Sequence, residues 1–150
     1  MTSEDAGRPA IIVGVDGSDD SREALLWAVR QARLTGAEVH ALTAWQVPFS
    51  IYLAPSATEA DYEQNAAETL STAVQKALGP DPGIPVMTLL VQKRPAAALT
   101  EAADGAELLV VGAHGRGELP GMHLGSVATY CVHPAPCPVT IVCERRVSHA

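Results

Sequence analysis

The stretch VVGAHGRGELPGMHLGSVATYCV, residues 110–132, runs from a strand-like apolar segment through a glycine-rich loop into a helix-like segment. It contains five glycines, many more than a simple reversal of the chain requires: Gly112, Gly115, Gly117, Gly121 and Gly125. Glycine adopts backbone angles that other residues avoid, and it lets a ligand approach the main chain closely. The first amide groups of a helix have no partner within the helix. The stretch therefore predicts a strand, a loop that wraps an anion such as a phosphate chain, and a helix.

Outward from this loop, five strand-like runs alternate with four helix-like runs. The strands are predicted at residues 10–15, 38–45, 84–92, 107–112 and 137–143. The helices are predicted at about residues 19–35, 58–78 and 95–103, and from residue 125 to the prolines at 134–138. The first, fourth and fifth strands are almost continuously apolar, as burial on both faces of a parallel sheet requires. The alternation predicts one α/β domain whose open, doubly wound sheet has right-handed crossovers and helices on both faces.

The composition favours a packed globular protein and excludes two classes of function. Apolar residues make up 47% of the 150 residues, and the formal net charge is −7. Because nucleic-acid and membrane-surface binders need a basic face, the charge argues against both. The polar start MTSEDAGRPA lacks the apolar region of a secretion signal. Three cysteines without a C-x-x-C pair indicate reduced thiols, so we expect a cytoplasmic protein in which Cys131, Cys137 and Cys143 are small core residues.

Two strand ends carry the residues from which a binding site could be built. Open α/β sheets bind ligands beyond the carboxyl ends of their strands, at the point where the strand order reverses. The first strand ends in GVDGS, which places Asp16 at its tip, and the fourth ends at Gly112, where the loop begins. If these strands are neighbours, both ends face one crevice. There Ser126 could donate its hydroxyl to a phosphate, and Arg116 could reach the outer phosphates.

Each of these residues also has a simpler interpretation. Asp16 can form a turn with the amides that follow it, Ser126 can cap a helix, and Arg116 can be a solvated loop charge. His114 and His123 lack a third ligand at a spacing typical of zinc, which indicates exposed histidines rather than a metal site. The partly apolar segment at residues 46–58 is either a mobile connection or a lid.

Several of these segments together resemble a known protein family. Gly112-x2-Gly115-x9-Gly125-Ser126 resembles the nucleotide-binding signature of the ATP-binding branch of the universal stress protein family. IIVGVDGS resembles the first strand of that family, LLVVGAHGRG its fourth, and LGSVATYCVHPAPCPVTIV its closing helix and strand. The resemblance implies a sheet in the order 3-2-1-4-5, which makes the first and fourth strands neighbours. It also implies a single domain at residues 9–144, between a flexible tail at residues 1–8 and a second tail at residues 145–150.

The resemblance further implies ATP in the crevice, with or without Mg²⁺. Asp16 would hold the ribose or adenine side, the main chain near Ala44, after the second strand, would lie against adenine, and the loop would surround the ribose and phosphates. The nucleotide-binding candidates are Val15, Asp16, Ala44, Gly112, His114, Gly115, Arg116, Gly117, Gly125, Ser126 and Val127. Lys93 and Arg94 stand where many relatives carry a glycine before the proline, so they could crowd the adenine edge or add positive potential.

Family members commonly form dimers through the last strand, so the resemblance also implies a homodimer. The strand residues concerned are Pro138, Val139, Thr140, Ile141 and Val142.

Three functions remain open on the sequence. The leading one is an ATP-binding stress-response or signalling regulator. A weak ATPase or adenylating enzyme is the second, although there is neither a G-x-x-x-x-G-K-[ST] motif nor a general base evident beside the loop. A nucleotide-free dimeric interaction module, or a protein that binds AMP or cAMP, is the third.

Overall fold

The computed structural model describes residues 7–52, 57–116 and 124–144. In these residues it has five strands: β1 (Ala10–Gly14), β2 (Glu38–Trp45), β3 (Val86–Gln92), β4 (Leu108–Gly112) and β5 (Val139–Val142). The described helices are α1 (Asp19–Thr35), α2 (Glu59–Leu78), α3 (Pro95–Ala102) and α4 (Ser126–Val132), with a short 3₁₀ turn at Phe49–Tyr52. The alternation of strands and helices predicted from the sequence is confirmed.

The described strands form one parallel sheet in the order β3-β2-β1-β4-β5. β1 lies at its centre, where Ile11 pairs with Val39 of β2 on one side and with Leu108 of β4 on the other. The chain therefore winds first to one side of β1 and then to the other, and the strand order reverses between β1 and β4. This confirms the predicted fold class and the predicted contact between the first and fourth strands.

The two faces of the sheet are covered by different helices, because successive side chains of a strand point to opposite faces. Ile11 and Val13 pack under α1 and α2, in a cluster that includes Leu25 and Leu70. Ile12 packs on the other face under α3 and α4, in a cluster that includes Leu99. Burying each such side chain contributes roughly 1.5–3 kcal/mol. β1 is thus buried on both faces, which explains its continuously apolar sequence.

Short polar residues set the starts of α1 and α2. The Ser18 side chain accepts a hydrogen bond from the Ser21 amide at 3.2 Å, so Ser18, and not Asp20, is the N-cap of α1. At α2, Thr58 and Asp61 exchange bonds in a capping box, which makes Glu59 the first helical residue. Gly36 ends α1 in the left-handed region at φ 78°, where a side chain would be strained.

β5 is shorter and less buried than the sequence predicts. Pro138 has no amide hydrogen to donate, and its carbonyl accepts from Leu109, so the strand begins at Val139. As an edge strand it is half-buried throughout, although its sequence is apolar. Cys131 is fully buried under the sheet, but Cys137 is half-buried and Cys143 is exposed. The interpretation of Cys143 as a core residue is wrong, because the strand ends before it.

The remaining segments are described in part. In the connection at residues 46–58, the 3₁₀ turn buries Ile51, and residues 53–56 lie outside the described residues. The predicted tails fall largely outside them too, since the description begins at residue 7 and ends at residue 144. Within the described ranges, no helix combines the length and the apolar character needed to cross a bilayer.

Candidate functional site

A cleft opens beyond the carboxyl ends of β1 and β4, at the point where the strand order reverses. It encloses about 540 Å³, part of which is open to solvent. Its lining comes from the ends of β1, β2 and β4 and from the starts of α1, α3 and α4. Because open parallel sheets hold their ligands at this position, the cleft is the candidate functional site.

Most of the residues predicted from the sequence lie on this cleft. Those that line it are Val15, Asp16, Ala44, Gly112, His114, Gly115, Gly125 and Val127. Arg116 and Ser126 are outside the described lining, and Gly117 lies outside the described residues. The lining residues that the sequence did not single out are Gly14, Ser21, Leu42, Pro95, Leu99, Val111, Ala113 and Ala128. Most of these are small or apolar residues whose sequence pattern indicates only core packing.

Asp16 joins the two strand ends. It lies two residues after β1, and its Oδ1 accepts from the Ser18 amide at 2.8 Å, so it forms the turn that was the simpler interpretation. Its Oδ2 also accepts from the Arg116 amide at 3.0 Å, across 100 residues of sequence. Gly17 follows at φ 85°, which only glycine adopts readily. One carboxylate therefore holds the first turn and the glycine-rich loop together.

Gly112 is required for close packing rather than for unusual backbone angles. Its φ lies outside the left-handed region, contrary to the expectation from its sequence context. A Cβ atom at this position would lie 2.9 Å from the carbonyl carbon of Asp20 and 3.0 Å from the Ser21 nitrogen. The start of α1 therefore packs directly against the end of β4. This contact brings the first turn of α1 to the base of the loop.

The loop leaves the sheet and returns to it at one point. The Ala113 amide donates to the Val142 carbonyl at 2.8 Å, and the Gly125 amide donates to the Ala113 carbonyl at 2.7 Å. Gly125 is buried and is the N-cap of α4, with φ −68°. The prediction that Ser126 caps the helix is therefore wrong, because Ser126 is already its first helical residue. The loop is closed at its base by main-chain hydrogen bonds.

Arg116 lies between the cleft and a second, wider groove. Its amide faces Asp16, while the residue itself lines an open polar groove between the start of α1 and α2. Arg22 and Lys76 line the same groove. Arg116 is exposed, as expected of a solvated loop charge.

His114 and Asp20 form a contact that the sequence did not reveal. The side chain of His114 is only 20% exposed, so the prediction of an exposed histidine is wrong. Its amide donates to Asp20 Oδ2 at 3.0 Å, and its Nδ1 lies 2.9 Å from the same oxygen. Asp20 Oδ1 accepts from the Glu144 amide at 2.8 Å. The sequence offered one signal for this contact. Asp20 is a second aspartate beside Asp19, at the start of a helix that Ser18 already caps.

The end of the cleft opposite the loop is apolar. Leu42 and Ala44 of β2 face Pro95 and Leu99 of α3 across it. Ala44 lies within β2 rather than after it. Lys93 and Arg94 are not among the described lining residues, and Lys93 forms an ion pair with Glu101.

The described residues offer no built metal centre, since no group of three or more histidine, cysteine or acidic side chains could hold an ion there. The cleft has an apolar end, a carboxylate at its middle and a main-chain loop at its other end.

Comparison with known proteins agrees with this architecture. The sequence model of the universal stress protein family matches residues 8–142. Universal stress protein Rv2005c of Mycobacterium tuberculosis is 37% identical over 134 residues, which is 87% of this chain and 44% of that protein. The chain thus spans less than half the length of this relative.

Two solved structures share the fold closely. The universal stress protein of Archaeoglobus fulgidus in complex with dAMP is 27% identical, with a TM-score of 0.66 over 91% of this chain and 98% of that one. A universal stress protein in complex with cAMP is also 27% identical, with a TM-score of 0.68 over 90% and 97% of the two chains. The family model covers most of the chain and the sequence identities and shared fold agree with it, so the chain belongs to the universal stress protein family.

Proposed function

We propose that this chain binds an adenine nucleotide in the cleft between β1 and β4, with ATP as the leading candidate, and acts as a nucleotide-dependent regulator. The observation that carries the proposal is the arrangement of three parts along one cleft. These are the apolar end at Leu42 and Pro95, the carboxylate of Asp16, and the loop that begins at Ala113. The relatives with bound dAMP and cAMP support the choice of an adenine nucleotide.

Each part of the cleft suits one part of such a ligand. The apolar end accepts a flat base, because it offers side chains that lose water readily. The Asp16 carboxylate accepts hydrogen bonds from ribose hydroxyls, since each of its oxygens has more than one lone pair. The described loop amides of Ala113, His114, Arg116 and Gly125 already donate within the protein, so the amides proposed to meet the phosphates are those at the start of α4, which have no partner within the helix. Amides supply local positive potential without lysines, so a chain of net charge −7 can still bind an anion.

Magnesium and a cytoplasmic location stay predictions from the sequence. With no three-ligand protein site among the described residues, an Mg²⁺ ion that accompanies ATP would be held chiefly by phosphate oxygens and water. Such an ion would neutralise part of the phosphate charge beside Asp16 and Asp20. Comparing ATP binding with and without Mg²⁺ tests this role.

The decisive experiment is calorimetry of the purified chain with ATP, AMP and cAMP, combined with mass spectrometry of nucleotides released on denaturation. We expect a micromolar or tighter Kd for at least one of them, about −8 kcal/mol of binding free energy. Asp16→Ala should weaken all three, because each carries the ribose that Asp16 faces, whereas Asp81→Ala, at an exposed turn after α2, should not. No binding at millimolar nucleotide would refute the proposal.

We also propose a homodimer that pairs through β5. Among the described strands, none pairs with the outer edge of β5, and its main-chain groups there can join a second copy. Tyr130 and Val132 of the adjacent helix α4 are exposed apolar side chains, 68% and 47% exposed. Because α4 contacts β5, we propose that these side chains take part in the same interface.

A further inference from the structure

Asp20 is a nearly buried carboxylate that bonds to two distant parts of the chain. It lies in the first turn of α1 and is 9% exposed. Its Oδ2 accepts from the His114 amide and faces His114 Nδ1, while its Oδ1 accepts from the Glu144 amide. These partners lie 94 and 124 residues away in sequence. Asp20 therefore bonds to both the loop and the segment after β5.

The geometry determines which ring nitrogen of His114 carries the hydrogen. A carboxylate can only accept, so a nitrogen 2.9 Å from Asp20 Oδ2 must be the protonated one. His114 therefore carries its ring hydrogen on Nδ1. Its main-chain amide and its ring Nδ1 both donate to Asp20 Oδ2. This double contact fixes the direction of the main chain at His114, the point from which the loop continues along the cleft.

N-capping of α1 does not account for this residue. Ser18 already caps α1, so Asp20 is not needed for that purpose. A carboxylate beside an anion-binding loop also repels the ligand, and burying it costs free energy unless its bonds compensate. Its bonds all lead to the loop and to the end of β5. Its role therefore concerns the position of those two segments.

We propose that Asp20 is a positioning residue that couples nucleotide occupancy of the cleft to the order of the chain after β5. The proposal rests on the proposed function, because the ligand is the nucleotide that the loop would hold. Asp20 fixes the loop at His114 through one oxygen and the chain at Glu144 through the other. A ligand that orders the loop therefore also favours the contact at Glu144, and by linkage the reverse holds. This places a nucleotide-dependent change beside the β5 edge.

The test compares Asp20→Asn with Asp19→Asn, its exposed neighbour in the same turn, which carries the same charge. Amide hydrogen exchange is followed by NMR at His114 and Glu144, with and without ATP, and the ATP Kd is measured by calorimetry. In wild type and Asp19→Asn, ATP should slow exchange at Glu144. In Asp20→Asn, exchange at both amides should rise about tenfold without ATP, the Kd should rise about tenfold, and the response at Glu144 should vanish.

Two results would overturn the proposal, and neither depends on a variant that fails to fold. One is saturating ATP that leaves exchange at Glu144 unchanged in the wild type. The other is a folded Asp20→Asn protein whose Kd and whose response at Glu144 match the wild type. If the wild type binds no ATP, AMP or cAMP, the proposed function fails first, and the calorimetry shows this. The exchange rates without nucleotide then report separately whether Asp20 links His114 to Glu144.

Discussion

At the scale of single residues, Gly112 illustrates how a position in a ligand loop can be set by packing. A Cβ atom there would overlap main-chain atoms at the start of α1, which cannot move without shifting the helix. We expect Gly112→Ala to lower the free energy of unfolding by about 1–3 kcal/mol, as overpacking does. Gly14→Ala is the matched control, because its Cβ would meet the flexible end of the Leu99 side chain at 3.0 Å. Urea unfolding measures the free energy of unfolding of both variants. An equal loss of stability in the two would contradict this account.

Arg116 supplies a second prediction at this scale. Arg116 lines the groove beside the cleft, and in the proposed binding mode it would reach the outer phosphates of the nucleotide. Arg116→Ala should therefore weaken ATP about fivefold and leave AMP nearly unchanged, since an exposed charge contributes modestly. Arg30→Ala removes the same charge from an exposed position in the middle of α1 and should affect neither ligand. An equal loss of affinity for ATP and AMP would mean that Arg116 does not act on the outer phosphates.

At the scale of elements, α4 and β5 give the three thiols different reactivities. Burial between α4 and the sheet raises the pKa of the Cys131 thiol to about 11, and partial burial raises the pKa of the Cys137 thiol. Because the thiolate is the reactive form, a raised pKa leaves less of it at pH 8. Cys143 is exposed after the end of β5. Thiol labelling at pH 8 should modify Cys143 first, Cys137 next and Cys131 last.

Single-cysteine variants read by mass spectrometry would establish that order. In urea the three rates should converge, because unfolding removes the burial that separates them. Labelling of Cys131 in the folded protein at the rate of Cys143 would mean that α4 does not cover the sheet as described.

At the scale of the whole molecule, the proposed dimer through β5 can be tested without disturbing the core. Val139 and Ile141 pack against the α3 and α4 side of the sheet, so an aspartate at either would unfold the subunit. Tyr130→Asp instead places a charge on the exposed face of α4. Leu34→Asp is the control, since Leu34 is 79% exposed at the far end of α1.

Light scattering at tens of micromolar protein should show a dimer for the wild type and Leu34→Asp, and a weaker one for Tyr130→Asp. That concentration suits an interface with roughly micromolar affinity. A wild type that remains monomeric there would refute the dimer.

The sequence by itself determined the elements of this protein and their order. Apolar periodicity and short polar caps act within a few residues, so α1 is predicted at the observed residues Asp19–Thr35 and α3 begins at the predicted Pro95. The glycine spacing similarly indicated where a main-chain loop follows β4. The residues alone did not predict that β1 and β4 are neighbours. The family resemblance supplied the strand order, which the structure confirms.

Only the tertiary structure decided which distant groups meet at the site. Asp20 bonds to His114 and Glu144, and the start of α1 packs closely against Gly112. Both contacts form because the sheet brings β1, β4 and β5 side by side. The edge position of β5 likewise exposes Cys143 and leaves an apolar strand half-buried. A side chain's partner depends on neighbours far away in sequence. The local sequence pattern does not identify those neighbours, because they meet only when the strands pack into the sheet.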